Sequence, residues 1–268
     1  MALDDRLMKS IDEATNLLLK AKYVVGITGA GASVESGIRP FRGPGGIWTE
    51  HGEPPLDGFQ RFMADPKKGW EKMIRGDEDS PAGGAAELLK ALMSAEPNPG
   101  HYAMAELEEL GVMKYLITQN VDNLHRAAGS KNVAEIHGNM KLLRCMKCGS
   151  RYKMEEISLE VLPPQCPKCK GTVKTDGVMF GEPIPSDVLA ICQTETDKCD
   201  CMLSAGTSAF VYPAAGFPQI VKRKGGLLIE IDLYGTPLTQ IADVSIKGKF
   251  GEVLPELVKS VKARMGKM

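Results

Sequence analysis

The sequence predicts an α/β protein built on a parallel sheet with helices on both faces. Three observations carry this. Short, almost wholly apolar runs recur at 23–28, 114–118, 201–205 and 227–232, the pattern of strands buried on both faces. Helical stretches with one apolar face surround them, at 4–20, 101–110 and 252–265,. The strands end in small or polar residues, where open α/β sheets hold their ligands.

At 268 residues the chain has room for one large domain with an appended module,. A formal net charge of −1 gives no bulk attraction to nucleic acid, so no direct nucleic-acid binding is expected,. Lys20 and Lys22 interrupt the best apolar run, so no membrane span is expected,. The first residues are charged and amphipathic, unlike a signal peptide,. Four of the seven cysteines stand in Cys-x-x-Cys pairs, which suits metal binding in a reducing cytosol better than disulfides; a cytoplasmic location is expected,.

The elements follow in order. In 4–20, Leu7, Ile11, Ala14 and Leu18 form one stripe,. The strand at 23–28 runs into Gly29 and Gly31, where the backbone can turn tightly and approach a phosphate,. Val34 stands where a strict dinucleotide fingerprint has its third glycine, so an ordinary turn remains open on pattern alone,. Glycine and proline make 43–48 a loop,. Residues 56–95 read as helical, broken by an exposed polar loop at 76–84,. The strand at 114–118 ends in Gln119, Asn120, Val121 and Asp122. Asn and Asp are also common caps and turn residues, and on residue type alone that reading leads. A short strand from Val133 leads to His137, whose ordinary pKa suits proton transfer; His51, His101 and His125 read as structural,.

Seventeen residues separate the pairs Cys145/Cys148 and Cys166/Cys169. Two such knuckles can close four thiolates around one Zn²⁺, leaving no open position, so the metal is expected to be structural. A redox role is the alternative. Cys192, Cys199 and Cys201 read as buried free thiols,. The strand at 201–205 ends in Gly206, Thr207 and Ser208, small and hydroxylic residues that suit a phosphate,. In the last helix Pro255 is expected in the first turn, where proline is tolerated,.

The words around these elements closely resemble the sirtuins, NAD-dependent protein deacylases. The resemblance runs through Gly29–Ile38, Phe41-Arg42-Gly43, Thr118–Asp122, His137-Gly138, the cysteine pairs, Phe180-Gly181-Glu182 and Gly206-Thr207-Ser208, in the family's order over nearly the whole chain. Three positions depart from the pattern: Arg39 precedes Pro40, Met179 stands where many relatives carry an aromatic, and Asp232 replaces an asparagine.

The resemblance implies a Rossmann-like NAD-binding domain from 1–42, 96–139 and 177–268. A small domain would combine a cofactor loop and helical module at 43–95 with a zinc ribbon at 140–176. It implies NAD as cosubstrate, held by Gly29, Ala30, Gly31, Ser33, Ile38, Phe41, Arg42, Gln119, Asn120, Val121, Asp122, Gly206, Thr207, Ser208, Asp232, Leu233 and Phe250. Asp122 and the Ile38 backbone would receive the nicotinamide. Val178, Phe180, Gly181, Glu182, Phe210 and Val211 would form the cleft for an acyl-lysine peptide, bound as an added strand. His137 would act as general base on a ribose hydroxyl, with Asn120 beside it. The implied reaction moves an acetyl group from lysine to ADP-ribose and releases nicotinamide. Other acyl-lysines, mono-ADP-ribosyl transfer, and a non-catalytic NAD-binding or zinc-ribbon module are the alternatives. Sirtuins that prefer succinyl or malonyl groups carry a Tyr and an Arg three residues apart. Here the two ways of counting give Met73 and Gly76, or Ala85 and Leu88, so a neutral, apolar acyl pocket is expected.

Overall fold

The computed structural model describes residues 5–75 and 84–267, with the backbone alone at 84–87 and 89. The expected loop at 76–84 lies outside the described residues save for Gly84, which opens a helix. Helix α1 (Asp5–Lys20) leads to strand β1 (Val24–Thr28) and a 3-10 turn (Ala30–Ser36). Four helices follow, α2 (Ile47–His51), α3 (Gly58–Ala64), α4 (Pro66–Arg75) and α5 (Gly84–Ser94). Then come α6 (Pro99–Glu109), β2 (Met113–Thr118), α7 (Leu124–Ala127) and β3 (Val133–Glu135). A small sheet uses β4 (Leu142–Cys145), β5 (Arg151–Lys153) and β6 (Val173–Thr175). The chain closes with α8 (Ser186–Lys198), β7 (Cys201–Ala205), α9 (Gly216–Arg223), β8 (Leu227–Asp232), β9 (Val244–Lys247) and α10 (Phe250–Met265).

Six strands form a parallel sheet in the order β3-β2-β1-β7-β8-β9. Its four inner strands β2, β1, β7 and β8 face packed helices on both sides, which is why they are largely apolar without strict alternation,. Val24, Leu116, Leu203 and Ile229 pack with α1, α6 and α10. Val25, Ile27, Met202 and Leu228 pack on the other face with Cys192 of α8 and Phe217 and Val221 of α9. Gly26 has no room for a side chain: a Cβ would lie 2.8 Å from both Met104 Cε and Met113 Sδ. The second sheet, β5-β4-β6, is antiparallel and carries the cysteine knuckles. Its apolar side joins Phe62 and Trp70 of α3 and α4 to Leu143, Cys145, Cys166 and Val173 in one cluster.

Two expectations are corrected. The loop expected at 43–48 gives way at Ile47 to helix α2, because its glycine and proline residues end at Gly46. Helix α10 begins at Phe250, so Pro255 lies in the second turn, inside the helix. The helix runs on through it with one i→i−4 hydrogen bond missing, the one that would reach the Gly251 carbonyl. Five elements of the large sheet and its surroundings have no counterpart in the sequence expectations: the edge strand β9 and helices α2, α7, α8 and α9.

Candidate active site

The sheet reverses its order of connection between β1 and β7. In such sheets the loops diverge there and leave a crevice at the carboxyl ends. The register aligns those ends, with Thr28 beside Thr118 on one side and Ala205 on the other. A cleft of about 1540 Å³ opens at this point.

Glycine is required by the crowding of the two loops. The Gly31 amide donates to the Gly206 carbonyl at 2.8 Å, and a Cβ on Gly31 would lie 2.8 Å from the same oxygen. Gly206 has φ +60°, and a side chain there would strike the Ala32 amide nitrogen. Gly29, Ala30, Gly31, Phe41, Arg42, Gln119, Asn120, Val121, His137, Gly206, Thr207, Ser208, Asp232, Leu233 and Phe250 all line the cleft. So do Val178, Phe180, Gly181, Glu182, Phe210 and Val211.

Ser33, Ile38 and Asp122 do not line it; they lie buried behind it. The Ser33 hydroxyl donates to Asp122 Oδ2 at 2.6 Å, and the Leu124 amide donates to Oδ1 at 2.9 Å. Burial raises the Asp122 carboxyl above its ordinary value, and these two donors partly offset it,. Asn120 Nδ2 bridges the Gly29 carbonyl and the Ser33 hydroxyl, each at 3.0 Å, tying the β2 end to the glycine turn. Gln119 Nε2 donates to Thr207 Oγ1 at 2.7 Å, tying it to the β7 end.

His137 has a defined tautomer. Its Nδ1 lies 3.1 Å from the Gln119 carbonyl oxygen, which can only accept, so Nδ1 carries the proton and Nε2 is the basic nitrogen,. Burial lowers its pKa, partly offset by that hydrogen bond,. His101 and His125 are fully buried and lie edge-to-face with each other and with Phe250. His101 Nδ1 accepts from the Asn98 amide at 3.2 Å in a capping box on α6. His125 Nε2 lies 2.9 Å from Thr28 Oγ1. The exposed-side histidine, His51, lies 3.9 Å from Glu50.

Aromatic rings close the other wall. Trp48 stacks on Phe41 with centroids 4.6 Å apart and meets Phe180 edge-on at 5.5 Å. Arg42 lies over the Trp48 ring at 4.6 Å and pairs with Glu53 at 2.8 Å. Neither Trp48 nor Glu53 is among the expected site residues; a lone aromatic in the glycine-rich 43–48 segment is the signal that marks Trp48.

Away from the cleft, Sγ of Cys145, Cys148, Cys166 and Cys169 all lie within 4.8 Å of one another. A tetrahedron with Zn–S of about 2.3 Å has edges of about 3.8 Å. Cys145–Cys169 at 3.4 Å and Cys148–Cys166 at 3.7 Å match this spacing, and four thiols are the donor set of a closed zinc site,. Cys192, Cys199 and Cys201 are buried apart from it, as expected. Burial pushes Cys192 and Cys199 up to about 12 and about 11.

The Sir2 family model matches residues 29–213. The chain belongs to the Sir2 family. NAD-dependent protein deacylase 1 of Archaeoglobus fulgidus is 43% identical over 260 residues, 97% of this chain and 98% of that protein. A mutant Sir2 homologue solved with ADP-ribose matches with a TM-score of 0.79 and 42% identity, covering 99% of both chains. A Sir2 homolog solved with NAD matches with a TM-score of 0.76 and 43% identity, over 98% of this chain and 96% of the other.

The three departures in this Sir2-family chain each have a definite local setting. Arg39 donates to the Gly45 carbonyl and pairs with Glu50, bracing the loop that carries Phe41 and Arg42. Asp232 accepts from the Tyr234 amide at 2.9 Å, and burial raises its carboxyl above the ordinary value. Met179 joins the apolar cluster of the small sheet and also lines the cleft.

Proposed function

We propose that this Sir2-family enzyme is an NAD-dependent protein-lysine deacylase that removes acetyl groups from lysine in protein or peptide substrates. The observation that carries this reading is the placement of His137. Its basic Nε2 belongs to a ring on the cleft wall, between the glycine turn and the 177–182 segment. NAD fits the site on the chemistry of its lining: close-packed glycine turns, the hydroxyls of Thr207 and Ser208, the Gln119 amide and the Arg42 guanidinium. When bound, it supplies the labile nicotinamide–ribose bond and receives the acyl group.

The chain's own residues supply position and charge. Asn120 and Gln119 hold the ends of β1, β2 and β7 together and face the nicotinamide side. Asp122, buried just behind the cleft and held by Ser33, would give a fixed polar partner for the carboxamide beside Ile38 when the ring enters behind the cleft wall. Arg42 meets the phosphates in exchange for Glu53, a charge-assisted contact. Asp232, Leu233 and Phe250 take the adenosine end. Val178, Phe180, Gly181, Phe210 and Val211 flank the peptide. His137 Nε2 takes the proton from a ribose hydroxyl. The four cysteines hold one structural Zn²⁺ in a module of 140–176, which with 43–95 makes up the small domain. Such a thiolate site is consistent with a cytoplasmic location.

Incubation with NAD and an acetylated peptide tests the reading. Nicotinamide and deacetylated peptide should appear together, and neither without the peptide. Nicotinamide release with transfer of ADP-ribose to protein would favour a transferase; no release would leave a binding module.

Among the described residues no helix is long and apolar enough to cross a membrane.

A further inference from the structure

A buried ionic cluster joins the cysteine-bearing sheet to the cleft. Arg144 on β4 donates through Nε to Asp176 Oδ1 at 2.6 Å and through Nη2 to Glu182 Oε1 at 2.5 Å. Lys174 on β6 meets Glu182 Oε2 at 3.1 Å, and its Nζ donates to the carbonyls of Thr175 and Gly177 at 2.7 and 2.6 Å. Glu182 Oε2 also accepts from the Met179 amide at 2.9 Å. The four side chains are only 1–9% exposed. Arg151 extends the cluster from Asp176 to Asp187, at the start of α8.

Charges buried this deeply are costly unless every donor and acceptor is engaged. The Lys174 ammonium donates to two carbonyls and is ion-paired with Glu182. A well-packed apolar group often stabilises a fold as well as a buried ion pair does. The geometry shows what an apolar group could not do: fix the path of 177–182. Lys174 holds the Gly177 carbonyl, and its partner Glu182 holds the Met179 amide, both from the inner side. On the outer side, the Val178 amide donates to the His137 carbonyl at 2.8 Å, and the Phe59 amide donates to the Phe180 carbonyl at 3.0 Å. Val178, Phe180 and Gly181 are thereby set into the cleft wall. Glu182 lines the cleft, and its carboxylate is engaged in this cluster.

We propose that Lys174 is a positioning residue for the acyl-peptide, setting the 177–182 segment through the Gly177 carbonyl and Glu182. The proposal rests on the deacylase reading above. Steady-state kinetics on an acetyl-peptide, NAD affinity by calorimetry and zinc content would be compared for the parent, Lys174→Met and Lys174→Arg. Lys174→Met should raise the peptide KM about tenfold with kcat changed by less than about threefold, the signature of lost substrate binding. NAD affinity and zinc content should stay within about twofold of the parent, and Lys174→Arg, which keeps the charge, should recover part of the loss. If Lys174→Met does not fold, Lys174→Met/Glu182→Leu removes both charges and avoids the unpaired one. The peptide KM should remain raised in that variant. An unchanged peptide KM in whichever variant folds would overturn the proposal. So would a rise in peptide KM matched by equal losses of NAD affinity and zinc, which marks general destabilisation. A parent that does not turn over acyl-peptide would instead overturn the deacylase reading, and the proposal with it.

Discussion

His137 is poised by two opposed influences. Burial disfavours its imidazolium, and the Gln119 carbonyl favours it; burial wins, so the pKa lies below the ordinary 6.5. A general base works only when neutral, so kcat/KM should fall on acidification with an apparent pKa below 6.5 and be flat in this group above about pH 7. A pH profile with its acid limb centred above about 7 would assign that limb to another group. His137→Ala should cost roughly 10²–10⁴-fold in turnover while leaving NAD binding nearly intact. Retained activity within about twofold would mean another base. His101 behaves as a stability switch. Burial lowers it to about 4, so the unfolded chain takes up the proton first as pH falls,. Stability fully present above pH 6.5 should therefore be lost between 6.5 and about 4, by roughly 3 kcal/mol from this residue,. Urea unfolding of the parent and of His101→Gln across that range measures it. Equal pH slopes for the two proteins would contradict the assignment.

At the scale of elements, what could be read in the sequence depended on burial. β1, β2, β7 and β8 are legible because both faces are covered and their runs are mostly apolar, with Lys114, Glu230 and Asp232 as the charged exceptions. β9 is an edge strand of four residues that alternates buried Val244 and Ile246 with exposed Ser245 and Lys247, too short a pattern to stand out. α8 packs Val188, Leu189 and Cys192 on the core but buries Glu195 and Thr196 in its next turn, so its apolar stripe is too short to stand out. The glycine turns and cysteine knuckles were legible because their chemistry is local. The Arg144, Lys174, Asp176 and Glu182 cluster was not, because no local pattern brings those positions together. Two element-level outcomes follow. Gly206→Ala should destabilise by roughly 1–3 kcal/mol, since the positive φ and the Ala32 contact both oppose a side chain,; a melting temperature equal to the parent's would show that the two turns separate easily. Cys145→Ser should lose zinc and loosen the small sheet, because binding energy at a closed thiolate site is folding energy. Elemental analysis finding about one Zn²⁺ still bound to that variant would contradict the four-thiolate site.

At the scale of the whole molecule, the cleft runs from the switch point of the parallel sheet to the apolar cluster of the small one. Phe62, Trp70, Met73 and Met179 belong to that cluster and also line the cleft. Of the positions expected to meet the acyl group, Met73 lies here. Leu88 packs near Ile38 and Leu124, and Gly76 and the Ala85 side chain lie outside the described residues. Among the described residues, the cations lining the cleft are Arg42, Lys174 and Lys249. Each already meets a carboxylate: Glu53, Glu182 and Glu252. A substrate carboxylate entering this pocket would have to displace one of them or stay unpaired, and an unpaired buried charge is strongly disfavoured. A neutral acyl group meets no such penalty, and two methionines can repack around a longer chain. On one peptide carrying acetyl-, succinyl- or myristoyl-lysine, kcat/KM should therefore be highest for a neutral group, with succinyl lower by about tenfold or more. Raising the salt should not rescue succinyl, because the deficit is desolvation inside the cleft. Succinyl turned over as well as acetyl would show that one of the three pairs opens to receive it. Removing Glu53 by Glu53→Gln would then separate Arg42 from the other two.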